Sequence, residues 1–330
     1  MDSFTALLAR QDGDQITAAI ETLDASELPP GDVTIRVAYS SVNYKDALAG
    51  LGRNKIIRDY PRIGGIDLFG TVTESRDDRF KSGDRVIVHG FGIGVDHDGG
   101  HAEYARVRGD WVMPLPEGLT LKDAAVIGVA GYTAALSIHL MELNGLDPSR
   151  GPVVVNGATG GVASVAIDML STRGYAVTAI TGKQDEHDYL RRLGASEILD
   201  RLSIESSGKP LEKPLWAGAV DSLGGEALAW LTRTMRPDGT IAAFGNALGA
   251  ELHTTVLPFI LRGVRLIGVY ANSPMALREQ IWQRIASDLK PRHLATIARE
   301  ISLQDLPEAF QRLVDNRTRG RVVVAFRQTE

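Results

Sequence analysis

The stretch 153–170 constrains the fold of this chain more than any other segment. It reads VVVNGATGGVASVAIDML, in which a short apolar run is followed by a glycine cluster and then by helical spacing. Gly157, Gly160 and Ala163 have the G-x-x-G-x-x-A spacing of a dinucleotide-binding turn, with a helix beginning near Gly161. Glycines let the backbone approach a pyrophosphate, and the small Ala163 suits the position that sets how closely helix and strand pack. The pattern predicts a phosphate-binding loop, with a plain βα turn as the alternative.

Strand and helix candidates alternate after this point, which predicts a parallel sheet with helices on both faces, a doubly wound α/β fold. A segment of helical spacing, 121–143, precedes the alternation. The alternating candidates in chain order are PVVVNG, GVASVAIDMLSTRG, AVTAITG, DEHDYLRRLGA, AGAVDSLG, EALAWLTRTM, GTIAAFG and GVRLIGVYA.

The first 120 residues have a different pattern, with short β-like runs separated by glycine turns. This pattern predicts an antiparallel, barrel-like β domain. An amphipathic helix (278–289) and a last strand, GRVVVAF (320–326), follow the α/β region. We expect that strand to return to the first domain and make it discontinuous. The clearest early strands are VTIRVAYS (33–40), FGTVTES (69–75), DRVIVHG (84–90) and HAEYARV (101–107).

Composition excludes several classes of function. The chain has 330 residues and a net charge of −5, so it has room for two domains and no excess of basic residues for nucleic acid. It contains no cysteine, which excludes disulfides, thiolate nucleophiles, iron–sulfur clusters and cysteine-ligated zinc. It has neither a secretory signal pattern nor an apolar run of membrane-spanning length, so we expect a cytoplasmic protein.

The second strand of the α/β region bears on the choice of cofactor. Sites that prefer NAD place an acidic residue about 20 residues after the glycine loop, where it binds the ribose 2′-hydroxyl. Here the strand ends in Thr181, Gly182 and Lys183. A lysine and a threonine hydroxyl suit a 2′-phosphate, so the sequence predicts NADPH. The alternative makes Lys183 a solvated turn residue before a helix that starts with Asp185 and Glu186.

Several further motifs resemble the medium-chain dehydrogenase/reductase superfamily. They are SSVNYKDALAG (40–50), GGIDLFGTV (64–72) and GGHAEYARV (99–107). Within the superfamily, the chain is similar to the zinc-free quinone-oxidoreductase-like branch, and within that branch to the acryloyl-CoA reductase (NADPH) group. The segments that carry this similarity are NYKDAL, ATGGV, LRRLGAS, PFILRGVRL and EISL. The resemblance implies a GroES-like β-barrel catalytic domain (1–122 and 273–330), a Rossmann NADPH-binding domain (123–272) and a homodimer.

The resemblance also implies site residues. GVYANS (268–273) departs from the G-V-D-S of relatives, which leaves Ala271 open as a cofactor contact, and Asn246 replaces a more apolar residue. The implied cofactor contacts are Tyr44, Thr159, Gly160, Gly161, Val162, Thr181, Gly182, Lys183, Arg201, Asn246, Ile260 and Asn316.

The motif NYKD supports two compatible interpretations. In the first, Asn43 is a helix N-cap and Asp46 its partner at N3, an acidic variant of the capping box. In the second, the resemblance places Tyr44 against the cofactor and makes Tyr44, Asn43 and Asp46 candidate catalytic residues.

Two features bear on metal binding. Zinc enzymes of the superfamily have G-H-E-x-x-G where this chain has Gly65 to Gly70, and Ile66 replaces the histidine ligand. We therefore expect no catalytic zinc. His97 and His101 flank Asp98 and could suggest a metal cluster, but we favour a glycine turn that enters a strand.

The resemblance implies hydride transfer from NADPH to the β-carbon of acryloyl-CoA, a small-molecule CoA thioester, to give propionyl-CoA. A quinone oxidoreductase and a non-catalytic NADPH-binding protein are the alternatives. Tyr44, a ribose hydroxyl or water could supply the proton. A basic loop follows the NYKD motif and is either a solvated surface or a receptor for coenzyme A phosphates; it contains Arg53, Lys55, Arg58 and Arg62.

Overall fold

The structure is a computed structural model that describes residues 2–203 and 208–326. The strands are β1 Ser3–Asp12, β2 Gln15–Asp24, β3 Val33–Ser41, β4 Arg62–Ile63, β5 Asp67–Ser75, β6 Arg85–His89, β7 Tyr104–Val107, β8 Met113–Pro114, β9 Val153–Val155, β10 Val177–Thr181, β11 Glu197–Asp200, β12 Trp216–Asp221, β13 Met235–Ala243, β14 Arg265–Gly268, β15 Ala298–Ile301 and β16 Arg321–Ala325. The helices are α1 Tyr44–Gly50, α2 Leu121–Leu143, α3 Gly161–Thr172, α4 His187–Arg192, α5 Gly225–Thr234, α6 Leu257–Arg262, α7 Met275–Ala286, α8 Leu294–Ile297 and α9 Leu306–Val314.

The chain forms two compact units. The described residues up to Val129 and from Ala298 onward form the first, and Ala130–Ile297 forms the second. The predicted domain boundaries, 122/123 and 272/273, stay a prediction, and the two units divide at 129/130 and 297/298. The segment 273–297 lies in the second unit because polar contacts hold it to α2 and α3. Arg284 forms an ion pair with Glu142 (2.8 Å), and Asp168 accepts a hydrogen bond from the His293 backbone (2.8 Å).

The second unit contains a six-stranded parallel sheet within the described residues, in the order β11-β10-β9-β12-β13-β14. This is the 3-2-1-4-5-6 order of a Rossmann fold, so the predicted doubly wound parallel sheet is confirmed. The order reverses between β9 and β12, and ligands of such sheets bind outside the carboxyl ends of the strands at this point. Val153, Val154 and Val155 are fully buried, as expected for a central parallel strand.

The first unit is mainly antiparallel, as predicted. Its larger sheet has the order β15-β16-β3-β5-β6-β8, and β7 pairs with β3. The last strand, β16, pairs antiparallel with β3, so it does return to the first unit. A second sheet, β2-β1-β4, contains an N-terminal hairpin that the sequence analysis did not single out. Its strand β2 alternates between exposed and half-buried residues and has only Leu23 in the core, which weakens the apolar signal of a strand.

Helix α2 covers the segment of helical spacing at 121–143 and contains a break. Gly128 has φ 54° and ψ −163°, so the chain breaks there into two helical segments. Among the described residues, α2 is the helix long and apolar enough to span a membrane, and 89% of its most apolar window is buried within the protein. Such burial is typical of a core helix.

Candidate active site

The glycine loop joins β9 to α3 at the point where the strand order reverses. Gly157 has φ 56°, and a Cβ atom there would lie 2.3 Å from Ser222 Oγ, so the position requires glycine. Gly160 is the N-cap of α3, and Gly161 and Val162 form its first turn, as predicted. Ala163 is 1% exposed, which confirms it as a packing position. The N-terminus of this 12-residue helix fits a pyrophosphate.

A polar pair that the sequence analysis missed holds the base of this loop. The Asn156 side-chain amide donates to the buried Asp221 carboxylate, and Asn156 Oδ1 accepts from the Ser222 N–H (2.8 Å). Asp221 also accepts from the Gly224 N–H (3.1 Å), and burial raises the pKa of its carboxyl group. These contacts fix the glycine loop to the turn that follows β12. No local pattern indicates them, because Asn156 follows β9 whereas Asp221 ends β12, far away in the sequence.

The end of β10 gathers the groups that were predicted to select NADPH. A Cβ atom on Gly182 would lie 3.5 Å from Arg201 Nη2, so the guanidinium group lies beside this turn. Lys183 is half-buried, and burial lowers the pKa of its amine. Thr181 is buried, and its hydroxyl accepts from the Lys183 N–H (3.0 Å), so it shapes the turn. Two cations beside a strand end without an acidic residue fit a 2′-phosphate.

The remaining predicted cofactor contacts lie in different places. Thr159 is buried in the glycine loop, and Asn246 is exposed in the segment after β13, at the carboxyl edge of the sheet. Ile260 is 68% exposed on α6, next to the exposed Leu261. Asn316 belongs to the first unit, where it follows α9 with φ 55°. The structure therefore groups Thr159 and Asn246 with the glycine loop and leaves the roles of Ile260 and Asn316 as predictions.

The NYKD motif forms the start of α1. Asn43 is its N-cap with an extended backbone, and Asp46 at N3 accepts from the Asn43 backbone N–H (2.9 Å). The expected cap is thus confirmed. Tyr44 is the first helical residue, and 54% of the residue is exposed. Tyr44 is therefore accessible to a ligand, whereas Asp46 is 3% exposed and faces the interior.

A buried polar cluster surrounds this helix start, formed by Ser41, Asn43, Asp46, Asp67 and Arg321. Asp67 accepts from the Ser41 N–H (2.8 Å) and from its hydroxyl. Arg321 donates to Ser41 Oγ (2.6 Å), to Asn43 Oδ1 (3.3 Å) and to the Val126 carbonyl (3.0 Å). Ser41, Asp67 and Arg321 were not among the predicted site residues, although Arg321 is a charged residue at the start of the apolar run GRVVVAF.

The protonation of this cluster follows from its charge. Burial and the nearby Asp67 carboxylate raise the pKa of Asp46 to about 7, against the lowering effect of hydrogen bonds from Asn43 and the Ile66 N–H. Burial lowers the pKa of Arg321, which the two carboxylates oppose. One guanidinium cannot balance two ionised carboxylates in a low-dielectric interior, so Asp46 holds a proton below pH 7.

The histidines flanking Asp98 do not face a common centre. Asp98 accepts from Arg62 Nη1 and from the Ile63 N–H, both at 3.0 Å. His101 is buried beside Ser40 Oγ (3.2 Å), and burial lowers its pKa to about 3, so its ring is neutral. Within residues 2–203 and 208–326 no group of three or more His, Cys, Asp or Glu side chains could hold a metal ion.

The basic loop after α1 divides into two parts. Arg53, Lys55 and Arg58 are exposed. Arg62 instead forms an ion pair with Asp98, with 16% of its side chain exposed. Three of the four cations therefore remain accessible to a phosphate.

Comparison with known families agrees with this architecture. The Alcohol dehydrogenase GroES-like domain family matches residues 29–117, and the Zinc-binding dehydrogenase family matches residues 161–287. The predicted combination of a GroES-like domain and a Rossmann domain is thus confirmed. The second family is named for zinc, but this chain has Ile66 at the histidine position and no cysteine.

Three proteins similar to this chain match almost its whole length. YhfP of Bacillus subtilis, whose name classes it as a quinone oxidoreductase, is 48% identical over 97% of this chain and 98% of its own. AcuI of Escherichia coli, named as an acrylyl-CoA reductase, is 47% identical over 96% and 98%. The acrylyl-CoA reductase AcuI of Ruegeria pomeroyi is 44% identical over 97% and 98%.

Solved structures show the same fold at similar identity. The YhdH oxidoreductase of Salmonella enterica, in complex with NADP, has a TM-score of 0.95 and 46% identity, covering 98% of this chain and 100% of its own. YhfP with NAD bound has a TM-score of 0.96 and 48% identity, covering 99% and 100%. The chain belongs to the medium-chain dehydrogenase/reductase superfamily, in the branch that contains YhfP and the acrylyl-CoA reductases named AcuI.

Proposed function

We propose that the chain is an NADPH-dependent oxidoreductase that reduces the C=C bond of acryloyl-CoA to give propionyl-CoA. The observation that carries this proposal is whole-length identity of 44–47% to two proteins named acrylyl-CoA reductase. The glycine loop supports it, because its geometry suits a dinucleotide. A non-catalytic NADPH-binding protein remains the alternative of another class, and it predicts that no acceptor oxidises the bound cofactor.

The residues at the end of β10 support NADPH as the cofactor. Lys183 and Arg201 lie beside Gly182, where an enzyme that prefers NAD has an acidic residue. The Salmonella enterica relative binds NADP, whereas the structure of YhfP contains NAD. Direct comparison of kcat/KM with NADPH and NADH tests this choice. We expect a preference for NADPH, and equal values would contradict it.

NADPH supplies the hydride that adds to the β-carbon of the substrate. The glycine loop and the N-terminus of α3 bind the pyrophosphate through backbone N–H groups. Thr181 holds the Lys183 turn, and Lys183 and Arg201 bind the 2′-phosphate. Negative charge develops on the thioester oxygen as the double bond is reduced, so a hydrogen-bond donor must lie near that oxygen.

We propose roles for the first-unit residues that follow their exposure. Tyr44 contacts the cofactor, because it is an exposed aromatic residue at the start of α1. Asn43 and Asp46 position Tyr44, because their side chains are engaged in the buried polar cluster. A Tyr44→Ala variant should weaken NADPH binding in direct titration, while Tyr44→Phe should retain most of it.

Coenzyme A recognition is assigned to the exposed part of the basic loop, Arg53, Lys55 and Arg58. The three-carbon acyl group offers little apolar surface, at about 0.8 kcal/mol per buried CH₂. Binding energy from the remote nucleotide of the carrier therefore helps to position the reacting group. We also propose a cytoplasmic homodimer, whose interface includes apolar residues exposed at the start and the end of α6. These residues are the N-cap Val256 and the helical Leu261, which are 66% and 64% exposed.

A quinone oxidoreductase is the second candidate, because YhfP is 48% identical and carries that name. One assay separates the candidates: NADPH oxidation with acryloyl-CoA, crotonyl-CoA, free acrylate and a benzoquinone under one set of conditions. We expect the highest kcat/KM with acryloyl-CoA and poor turnover of free acrylate. Efficient turnover of the quinone without turnover of acryloyl-CoA would overturn the thioester proposal, and no turnover of any acceptor would favour the non-catalytic alternative.

A further inference from the structure

Tyr270 stands out at the carboxyl edge of the parallel sheet. It lies two residues after Gly268, the last residue of β14, and 71% of the residue is exposed. The pyrophosphate loop and the Lys183 turn follow β9 and β10, on one side of the point where the strand order reverses. A dinucleotide lies across that point, which leaves β12, β13 and β14 for its nicotinamide half. Tyr270 therefore lies on the side of the sheet where hydride transfer takes place.

A chain of hydrogen bonds holds the Tyr270 hydroxyl. Asn272 Nδ2 donates to Tyr270 Oη (3.3 Å), and Arg278 Nη2 donates to Asn272 Oδ1 (2.7 Å). Arg278 is fully buried, and its Nε donates to the Ser273 carbonyl (2.8 Å). The Ser273 hydroxyl is in turn hydrogen-bonded to the buried Tyr132 hydroxyl. An exposed tyrosine hydroxyl is thus linked, through two loop residues, to two buried side chains.

This arrangement suits a hydrogen-bond donor. Because the Asn272 amide donates to Tyr270 Oη, the phenolic proton remains available to an acceptor on the exposed side. The buried Arg278 lies behind Asn272 and adds positive charge, which favours an anion in front of the hydroxyl. A hydroxyl group that donates a hydrogen bond to a developing oxyanion stabilises the transition state more than the ground state.

We propose that Tyr270 is a catalytic residue that donates a hydrogen bond to the thioester carbonyl oxygen of the substrate, and that Asn272 and Arg278 are positioning residues. This inference rests on the proposed enoyl-CoA reduction. The hydride, whose C–H bond to the nicotinamide of NADPH breaks to leave NADP⁺, forms the new C–H bond at the β-carbon. The C=C π pair forms the enolate, and the negative charge rests on the oxygen beside Tyr270. Water then protonates the α-carbon as the enolate returns to the thioester. Tyr270 keeps its proton throughout.

Two variants test this proposal. Tyr270→Phe removes the hydroxyl and keeps the ring, and should lower kcat with acryloyl-CoA by about 10- to 100-fold, the size of one charge-assisted hydrogen bond. Asn272→Asp keeps an acceptor for Arg278 but replaces the amide donor with a carboxylate, which would accept the tyrosine proton itself. It should lower kcat to a similar extent. The Kd of NADPH, measured by fluorescence titration, should stay within twofold in both variants.

The double variant Tyr270→Phe/Asn272→Asp gives the readout that a merely structural role would not produce. If Asn272 acts through Tyr270, the double variant has the kcat of Tyr270→Phe alone. Tyr104→Phe, a half-buried tyrosine of the first unit, is the matched control and should keep wild-type kcat.

The outcomes separate this inference from the proposed function. Wild-type enzyme that reduces acryloyl-CoA, with Tyr270→Phe equal to it in kcat, would overturn the role of Tyr270 and leave the proposed function intact. A weaker NADPH affinity in Tyr270→Phe with unchanged kcat would overturn it too, because the tyrosine would then serve the cofactor. Wild-type enzyme that does not reduce acryloyl-CoA would overturn both.

Discussion

Asp46 and Asp67 share one hydrogen-bond donor, the side-chain amide of Asn43, at 3.1 Å and 3.3 Å. Both carboxyl groups are buried, with 3% and 0% of each residue exposed. Two carboxyl groups this close in a low-dielectric interior do not both ionise at neutral pH, and the proton resides on Asp46. The polar cluster around α1 therefore has a protonation state that depends on pH in the physiological range.

The stability of the protein should reflect this titration. The unfolded Asp46 carboxyl group ionises near pH 3.8, whereas the folded group keeps its proton to about pH 7. Between these values the folded state binds more protons, so the free energy of unfolding should fall as pH rises from about 4 to about 7. The contribution of one group is at most about 1.4 kcal/mol per pH unit. Asp46→Asn should remove it, as measured by urea denaturation at several pH values. If the free energy of unfolding changes equally with pH in the wild type and the variant, Asp46 is not the group that holds the proton.

Gly128→Ala should disturb the same buried polar cluster through its members Arg321 and Ser41. A Cβ atom at this position would lie 2.6 Å from Arg321 Nη2 and 2.7 Å from Ser41 Oγ, and φ is +54°. Steric overlap and left-handed strain together should lower the free energy of unfolding by roughly 2–4 kcal/mol. Gly145→Ala is the matched control, since φ is +89° there with no neighbour within 4 Å. It should cost only about 1 kcal/mol. Equal losses in the two variants would show that strain alone matters at Gly128.

How much was predictable from the sequence depended on the range of the interactions. The glycine loop, the end of β10 and the helix cap at Asn43 are local patterns, and the structure has each where it was expected. The break in α2 was not predictable, because the apolar pattern continues through Gly128. The groups that leave no room for a side chain there, Arg321, Ser41 and Asp67, are distant in sequence.

The polar cluster shows the same limit within the site. Asp46 and Asn43 belong to one motif, but Arg321 lies on the last strand and reaches them only because β16 pairs with β3. The Tyr270–Asn272–Arg278 chain is local in sequence, yet its geometry depends on the burial of Arg278, which an amphipathic helix pattern does not predict.

Lys183→Glu should change the cofactor preference. The variant places a negative charge where Lys183 lies beside Gly182 and Arg201, and so repels a 2′-phosphate. KM for NADPH should rise by about 10- to 100-fold, and the preference over NADH should narrow. Lys81→Glu introduces the same charge change at an exposed position of the first unit and should have no such effect. If Lys183→Glu keeps the full preference for NADPH, Lys183 does not bind the 2′-phosphate and is an ordinary turn residue.

Chelation of metals should leave activity unchanged. Ile66 stands at the histidine position of the zinc enzymes, and the chain has no thiolate to complete such a site. The measurement is the rate of NADPH oxidation with acryloyl-CoA before and after prolonged dialysis against EDTA, together with elemental analysis. Stoichiometric zinc whose removal abolishes turnover would contradict the prediction.

Removing the exposed charges of the basic loop should raise KM for substrates that carry coenzyme A and should not change KM for substrates without it. Arg53, Lys55 and Arg58 are exposed, whereas Arg62 is engaged by Asp98. Each exposed cation contributes about 0.2–1 kcal/mol to a phosphate contact, so the triple alanine variant should raise KM for acryloyl-CoA by roughly 3- to 150-fold. KM for a benzoquinone, which has no phosphate, should not change. Arg62→Ala should instead lower stability, because it leaves the Asp98 carboxylate without its ion pair.

The control for this experiment is a triple variant of equal charge in the same unit. Arg76, Lys81 and Arg85 are exposed and lie outside the loop, so their replacement by alanine removes three charges without touching the residues after α1. If both triple variants raise KM for acryloyl-CoA equally, the effect comes from net charge and not from a receptor in the loop. If neither does, coenzyme A binds elsewhere. The increase in KM caused by the triple variant of the loop should also become smaller as the salt concentration rises from about 50 to about 300 mM. Ions screen the attraction between exposed cations and phosphates, so the loop contributes less to binding at high salt.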